Sequence, residues 1–125
     1  YSGNNRTHMI RIPEGNRFEL RLADGATNPY LLQAAILAAG LDGMKNARDP
    51  GKRLDINMYT DGHTVPDAKK LPLNLLDALR AMEASPILAA AFEDFVPSYL
   101  KLKREEWNSY ASHLTDWERR ATLDC

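Results

Sequence analysis

The most constraining feature of the sequence is a pair of short runs, Thr7–Ile12 and Arg17–Leu22, in which residues alternate between two faces. A period of two is typical of β-strands, because successive side chains point to opposite sides of the sheet. The residues between the runs are Pro13-Glu14-Gly15-Asn16, and both Gly and Asn tolerate the positive φ of tight turns. The sequence therefore predicts an antiparallel β-hairpin.

The alternation also predicts the register of this hairpin. A three-residue loop, Glu14-Gly15-Asn16, would place Pro13 opposite Arg17. The first face would then pair Ile12 with Phe18, Ile10 with Leu20 and His8 with Leu22, and the second would pair Arg11 with Glu19 and Met9 with Arg21. A shift by one residue would mix apolar and charged side chains. We therefore expect one buried apolar face and one face that carries two guanidinium groups and a carboxylate.

The rest of the chain is predicted to be mostly helical, which makes the fold class α+β. Asn28-Pro29 has the residues of a helix start, and the helix from Pro29 to about Leu41 is apolar on nearly every side, so we expect it to be buried. Gly40 and Gly43 bracket its expected end. After a long polar loop, 45–72, three helices are predicted: Leu73 to about Ala84, a shorter one from Ser85-Pro86 through Phe92, and Ser98 to about Arg120, whose candidate core includes Leu100, Leu102, Trp107, Tyr110, Leu114 and Trp117.

Composition excludes several classes of protein. Sixteen Lys and Arg against seventeen Asp and Glu give a net charge of −1, which argues against a nucleic-acid binder. A single cysteine, Cys125, excludes an internal disulfide, and no apolar run reaches the roughly 18 residues of a membrane span, so a cytoplasmic protein is expected. The chain begins at Tyr1 rather than Met and reaches a predicted strand by Ile10, so we expect a fragment, although processing could also produce such a start.

The polar hairpin face is the first candidate site. Guanidinium groups present a planar fork to carboxylates and phosphates, and an ionised Glu among them could also bind magnesium. The alternative is a set of surface ion pairs, and spacing alone does not decide between the two.

A resemblance to a known family begins at these residues. It is carried by a series of short motifs in order: Tyr1-Ser2, Asn5-Arg6-Thr7, Ile10-Arg11-Ile12-Pro13, Phe18-Glu19-Leu20-Arg21, Ala23-Asp24, Asn28-Pro29-Tyr30-Leu31 and Ala38-Ala39-Gly40-Leu41-Asp42-Gly43. Together they resemble the C-terminal part of the glutamine synthetase catalytic domain. Towards the end, Thr115-Asp116-Trp117-Glu118-Arg119-Arg120 is more similar to the bacterial branch that includes γ-glutamylmethylamide synthetases. The resemblance implies that residues 1–125 are a β-hairpin from the active-site sheet followed by a mostly helical C-terminal portion of that domain.

The resemblance also implies roles for four residues. Arg6 matches the arginine that contacts the transferred phosphoryl group and the substrate glutamate, which makes it a catalytic, substrate-binding and nucleotide-binding candidate. Arg11 matches an arginine that faces the nucleotide phosphates, Glu19 a ligand of a divalent metal, and Arg21 the arginine that holds a carboxylate of glutamate. The implied activity is a ligase that uses ATP and Mg²⁺ or Mn²⁺ to make glutamine from glutamate and ammonia through γ-glutamyl phosphate, in a ring of identical subunits. The alternatives are a ligase for methylamine or another small amine and a non-catalytic member with a role in assembly.

Three departures from the family pattern bear on these roles. The hairpin turn lacks a lysine that contacts the nucleotide in many bacterial members, and Arg17 is a possible substitute. Arg6 has the wrong parity to share a strand face with Arg11, so it must precede the strand or lie at a bulge. The remaining metal ligands, the flap glutamate and the ammonium site lie upstream of Tyr1 in the family.

Other polar and aromatic residues have simpler interpretations. Tyr59 resembles a tyrosine that is adenylylated in some bacterial members, but its flanks favour an ordinary loop residue. His8 is better interpreted as a packing residue than as a ligand, and His63 and His113 lack the neighbours of a zinc site. Lys101, Lys103 and Arg104 are followed directly by two glutamates, which favours a solvated helix face over an anion site.

Overall fold

The structure of the chain is a computed structural model that describes residues 1–65 and 71–122. It divides into two compact units, Tyr1–Lys70 and Leu71–Cys125. The first unit contains β1 (Ile10–Glu14), β2 (Arg17–Leu20), α1 (Pro29–Lys45), α2 (Met58–Asp61) and a 3-10 turn (Gly62–Thr64). The second contains α3 (Leu75–Glu83), α4 (Pro86–Phe92), α5 (Phe95–Ala111) and α6 (Asp116–Thr122). The predicted α+β class is confirmed.

The hairpin has the predicted register in its middle and a different one at its turn. Ile10 lies opposite Leu20 and Arg11 opposite Glu19, as predicted, but Glu14 rather than Pro13 lies opposite Arg17. The predicted three-residue loop is therefore wrong: Gly15 and Asn16 alone connect the strands, with Asn16 at φ 60°. The additional residue of β1 is taken up between Arg11 and Glu14, where Pro13 lacks the N–H that a regular ladder would require.

The N-terminal residues add a pairing that the sequence pattern did not predict. Ser2 forms a parallel bridge with Arg11, in which the Ser2 N–H donates to the Ile10 carbonyl (3.1 Å) and the Ile12 N–H donates to the Ser2 carbonyl (3.0 Å). The segment before β1 therefore lies along the edge of the hairpin opposite to β2.

Helix α1 begins as predicted and ends later than predicted. The Asn28 side chain accepts hydrogen bonds from the N–H groups of Tyr30 and Leu31, which caps the first turn. The helix continues through Gly40 and Gly43 to Lys45, because a glycine inside a helix costs only about 1 kcal/mol. The expectation of a buried helix is wrong for this chain: none of its residues is buried, and Tyr30 and Met44 are more than 80% exposed.

The polar loop 45–72 is more ordered than the sequence predicts. It contains α2, capped by the Asn57 side chain, and the 3-10 turn that follows. Its residues 53–58 lie against the N-terminal segment through hydrogen bonds, among them one from the Leu54 N–H to the Tyr1 carbonyl (3.0 Å). Residues 66–70 of this loop lie outside the described residues.

The second unit is a small helical cluster with an apolar core. Leu79 of α3 packs with Val96 and Leu100 of α5, and partly buried side chains surround them: Leu75, Met82, Leu88 and Phe92. Of the predicted core residues of the last helix, Leu100 is buried, whereas Leu102, Tyr110 and Trp117 are exposed.

The single helix predicted from Ser98 to about Arg120 is in fact two helices. Helix α5 begins earlier than predicted, at Phe95, and includes Pro97 in its first turn. A proline is tolerated there because the backbone N–H groups of the first turn have no partner inside the helix. Helix α6 starts anew after Thr115, whose hydroxyl accepts from the Glu118 N–H (3.2 Å) while the Glu118 carboxylate accepts from the Thr115 N–H (2.7 Å). This reciprocal pair is a capping box, a signal that is legible in the sequence Thr-Asp-Trp-Glu.

Candidate active site

Glu19 lies among guanidinium groups on one face of the hairpin. Nη1 of Arg11 donates to both carboxylate oxygens of Glu19, at 2.7 and 2.8 Å, and the Arg11 side chain is only 12% exposed. Arg21 approaches the same carboxylate, with Nη1 at 3.5 Å from Oε2. The predicted placement of Arg11, Glu19 and Arg21 on one side of the hairpin is confirmed.

Arg17 belongs to the same cluster, as expected from its position two residues before Glu19 on the same strand. Its Nη2 lies 3.9 Å from Oε1 of Glu19, and its Nε lies 3.2 Å from Oε1 of Glu14. More than half of the Arg17 side chain is exposed, so the group can reorient towards a bound anion.

The surrounding arginines hold Glu19 in its ionised form. The hydrogen bond from Arg11 is the largest effect and lowers the pKa of Glu19. Desolvation opposes it and is the next largest effect, and the charges of Arg11, Arg17 and Arg21 lower the pKa further. Three permanent cations face two carboxylates, Glu14 and Glu19, so the face has an excess of positive charge. An anion with several oxygens would be attracted to such a face.

Arg6 precedes β1, which is one of the two placements that its parity allowed, and it contributes to the site through its backbone. Its carbonyl accepts a hydrogen bond from Nε of Arg21 (3.1 Å). Its side chain is exposed, and among residues 1–65 no ion pair of its guanidinium is found. The Arg6 carbonyl therefore orients Arg21, while the Arg6 guanidinium remains accessible to a ligand.

Asn4 is a site residue that the sequence reasoning missed. Its Oδ1 accepts from Nε of Arg11 at 2.9 Å and also from Nη2 of Arg11. Together with Glu19 it binds the Arg11 guanidinium from two sides, which fixes the direction of the fork. The only sequence signal for it is its position directly before Asn5-Arg6-Thr7.

Glu19 can supply part of a metal site but does not complete one. Mg²⁺ usually takes six oxygen ligands, and both oxygens of Glu19 already accept from Arg11. Among the residues that the structure describes, no group of three His, Cys, Asp or Glu side chains could hold a metal ion. Glu19 is therefore a candidate for one ligand of such an ion.

The remaining candidates have structural surroundings. His8 is 4% exposed, so it is a buried residue as predicted, and its Nε2 lies 3.0 Å from the Ile56 carbonyl of the 53–58 segment. Tyr59 is 81% exposed on α2. Arg104 and Lys103 pair with Glu83 and Glu106, which agrees with a solvated, ion-paired helix face. Cys125 lies outside the described residues.

The helices of residues 1–65 and 71–122 are too short or too polar to be membrane spans.

Comparison with known proteins identifies the family. Residues 1–122 match the glutamine synthetase catalytic domain. The chain is 62% identical to a glutamine synthetase of Rhizobium leguminosarum bv. phaseoli and 44% identical to a glutamate–methylamine ligase of Methyloversatilis universalis, in each case over 99% of this chain. It covers 29% and 28% of those relatives, so it spans less than a third of their length.

Solved structures give the same result for the fold. The structure of "Apo GmaS without ligand" superposes with a TM-score of 0.94 at 62% identity, over 100% of this chain and 30% of that one. The structure of a "GmaS/ADP complex" superposes with a TM-score of 0.92, also at 62% identity, over 29% of that chain. The ordered motifs of the hairpin, the arrangement of Arg11, Glu19 and Arg21 and these similarities lead to one conclusion: the chain belongs to the glutamine synthetase family.

Proposed function

We propose that residues 1–125 are the C-terminal part of the catalytic domain of an ATP-dependent ligase that joins glutamate to ammonia. In this reaction the γ-carboxylate of glutamate attacks the terminal phosphoryl group of ATP, which gives γ-glutamyl phosphate and ADP. Ammonia then attacks the acyl carbon, and phosphate leaves as glutamine forms. The observation that carries the proposal is the cationic hairpin face, in which Arg11, Arg17 and Arg21 surround Glu19.

The chemistry of phosphoryl transfer suits such a face. Catalysis of this step rests mainly on positioning the reactants and neutralising charge, and both are provided by guanidinium groups held in a fixed direction. In the proposed arrangement Arg11 binds nucleotide phosphate, Arg21 binds a carboxylate of glutamate, and Arg6 contacts both the phosphoryl group and glutamate. The hydrogen bonds from Arg11 to Asn4 and from Arg21 to the Arg6 carbonyl would hold two of these forks in place before substrates bind.

A divalent ion, Mg²⁺ or Mn²⁺, would neutralise phosphate charge when bound. Glu19 would provide one ligand of this ion. The hydrogen bonds from Arg11 to the two carboxylate oxygens of Glu19 would compete with metal binding. A titration of the full-length protein with Mn²⁺ tests this role, because Glu19→Ala should weaken metal binding about tenfold or more. Unchanged affinity would remove Glu19 from the ligand set.

Steady-state kinetics of the full-length protein test the substrate role. Arg21→Ala should raise the KM for glutamate about 100-fold, because a charge-assisted hydrogen bond contributes roughly 1.5–3 kcal/mol. Arg48→Ala is a suitable control, since Arg48 is an exposed residue that pairs with Asp42 of α1. A wild-type KM in the Arg21 variant would contradict the assignment.

A second candidate function is the ligation of glutamate to methylamine. It is supported by the 44% identical glutamate–methylamine ligase and by the high similarity to the two GmaS structures. Phosphate release measured with ATP, glutamate and either ammonia or methylamine separates the two reactions. Absence of release with every amine would instead favour a non-catalytic family member.

Oligomeric state and cellular location are further proposals. By family resemblance we propose that the full-length protein assembles as a ring of identical subunits in the cytoplasm. Sedimentation velocity of the full-length protein tests the assembly, and a monomer would contradict it.

A further inference from the structure

We propose that residues 53–58 act as a positioning element for the candidate active site, through hydrogen bonds to the N-terminal segment 1–8. The inference rests on the proposed function, because it assigns to this loop the task of holding Arg11 and Arg21 in a ligand-binding direction. Among the described residues, no hydrogen bond or ion pair joins residues 53–58 to Arg11 or Arg21. An effect of this loop on the two arginines must therefore pass through the N-terminal segment.

One side of the N-terminal segment faces the loop. The Asn5 Nδ2 donates to the Ile56 carbonyl (2.8 Å), and Nε2 of His8 lies 3.0 Å from the same oxygen. Because a carbonyl only accepts, His8 must carry its proton on Nε2. The hydroxyl of Ser2, a residue that is 2% exposed, donates to Oδ1 of Asp55 (2.8 Å).

Thr7 is the central residue of these contacts. Its hydroxyl donates to Oδ1 of Asn5 (2.8 Å) and accepts from the Met58 N–H (2.9 Å), while its own N–H donates to the same Asn5 oxygen (3.0 Å). The Thr7 hydroxyl therefore links the folded turn of the N-terminal segment directly to the start of α2.

The other side of the same segment faces the arginines. Asn4 accepts from Arg11, and the Arg6 carbonyl accepts from Nε of Arg21 (3.1 Å). Residues 4–7 thus lie between the loop and the guanidinium groups. If the loop contacts are lost, the turn at Asn5 relaxes and the acceptors of both arginines move with it.

The charge of Asp55 adds to this arrangement. Hydrogen bonds from Arg53 and then from Ser2 lower the pKa of Asp55, so its carboxylate is ionised at neutral pH and accepts strongly. The buried Ser2 hydroxyl consequently has a charged partner, which anchors the start of the segment beside β1.

The test uses the full-length protein and three substitutions. Thr7→Val keeps the shape of the side chain but removes the hydroxyl, and Thr7→Ser keeps the hydroxyl. Thr60→Val removes an exposed hydroxyl of the adjoining helix α2 and is the matched control. We expect Thr7→Val to raise the KM for glutamate about tenfold, the change that loss of one or two hydrogen bonds gives, with a smaller change in kcat. Thr7→Ser and Thr60→Val should stay within about twofold of wild type.

The split between KM and kcat distinguishes positioning from a merely structural role. A variant that only folds less well lowers the active fraction, which reduces the apparent kcat and leaves KM unchanged. An unchanged KM in Thr7→Val, or an equal rise in Thr7→Ser, would overturn the proposal.

Hydrogen exchange gives a readout that does not depend on activity. The N–H groups of Leu54 and Met58 are bound to the Tyr1 carbonyl and the Thr7 hydroxyl, so Thr7→Val should speed exchange in peptides that cover 54–58 about tenfold. Absence of ligase turnover in the wild-type protein would contradict the proposed function. The exchange measurement would still test the hydrogen-bond network, because it does not depend on activity. Unchanged exchange would overturn the network itself.

Discussion

The two units of the chain are stabilised by different interactions. Among residues 71–122 of the second unit, the buried residues are Leu79, Val96 and Leu100, which form an apolar core between helices. In the described part of the first unit the buried residues are Ser2 and His8, both polar and both hydrogen-bonded to the 53–58 segment.

The first unit also exposes the apolar side chains that a core would need. Phe18 of the hairpin is 62% exposed, and Leu37 and Leu41 of α1 are 64% and 63% exposed. Exposed apolar surface of this extent normally marks a surface that other parts of a protein cover. The comparison indicates that the second unit contains its own core, whereas the first unit has large apolar side chains that remain exposed.

A charged residue on α1 gives the strongest test of this difference between the two units. In the full-length protein, Leu37→Glu should lower the free energy of unfolding by about 3 kcal/mol or more, because it would place an unpaired charge in a buried site. The midpoint of guanidinium unfolding measures the change. Gln33→Glu is the matched control on the same helix, since Gln33 is already polar and exposed, and it should change the free energy by about 0.5 kcal/mol or less. Equal midpoints for the two variants would mean that α1 remains uncovered in the full protein.

A cavity in the second unit should have the next largest effect. Leu79→Ala removes a side chain that is 3% exposed and should destabilise the protein by about 3 kcal/mol, with no change in the KM for glutamate. Leu73→Ala, at a side chain that is 94% exposed, is the control and should cost about 0.5 kcal/mol or less. A raised KM in Leu79→Ala would show that the second unit contributes to substrate binding, contrary to the comparison.

The sequence predicted the charged face of the hairpin better than the segments around it, for a physical reason. Alternation alone places Arg11 and Glu19 on one face, because the period of a strand is fixed by its backbone. Their direct pairing was predicted with a three-residue loop. It survives the shorter turn because the extra residue of β1 between Arg11 and Glu14 restores the register. The same parity excluded Arg6 from the face of Arg11 in a regular strand and left two placements open, before the strand or at a bulge. The bulge near Pro13 was missed because it depends on how a ladder adjusts to one residue without an N–H, and several loop lengths satisfy the same turn residues.

The contacts that hold the site were beyond the reach of pattern reasoning. Thr7 and Met58 are far apart in the chain, and a hydrogen bond between a hydroxyl and a distant backbone N–H leaves no periodic trace in the sequence. The burial of α1 was predicted from its composition. An apolar composition indicates that a helix favours contact with other apolar surfaces, but it does not indicate where those surfaces come from. The break between α5 and α6 could have been predicted, since Thr115 and Glu118 have the spacing of a capping box.

A surface ion pair of the second unit should contribute little to the free energy of unfolding. Arg104 pairs with Glu83 at 2.5 Å, with both side chains about half exposed. Glu83→Gln should therefore cost about 1 kcal/mol or less, and the cost should fall as salt is added. Thermal unfolding at low and high salt measures it. A loss of several kcal/mol would show that polar contacts stabilise the second unit as they do the first.

The smallest effect that we predict is the pH dependence given by Glu19. Its pKa is lowered in the folded protein, first by the hydrogen bond from Arg11 and then by the nearby charges, from an ordinary value of 4.5. Its stabilising contribution is therefore fully present above pH 4.5 and is lost as the pH falls through the lower, folded value. The difference in unfolding midpoint between wild type and Glu19→Gln should stay constant from pH 7 to about 4.5 and shrink below that. Glu14→Gln, at the more exposed glutamate of the same hairpin, is the control and should give a smaller difference throughout. If the difference in unfolding midpoint between wild type and Glu19→Gln instead grew on acidification, the arginines would not hold Glu19 ionised. The cationic face would then lack its central anion.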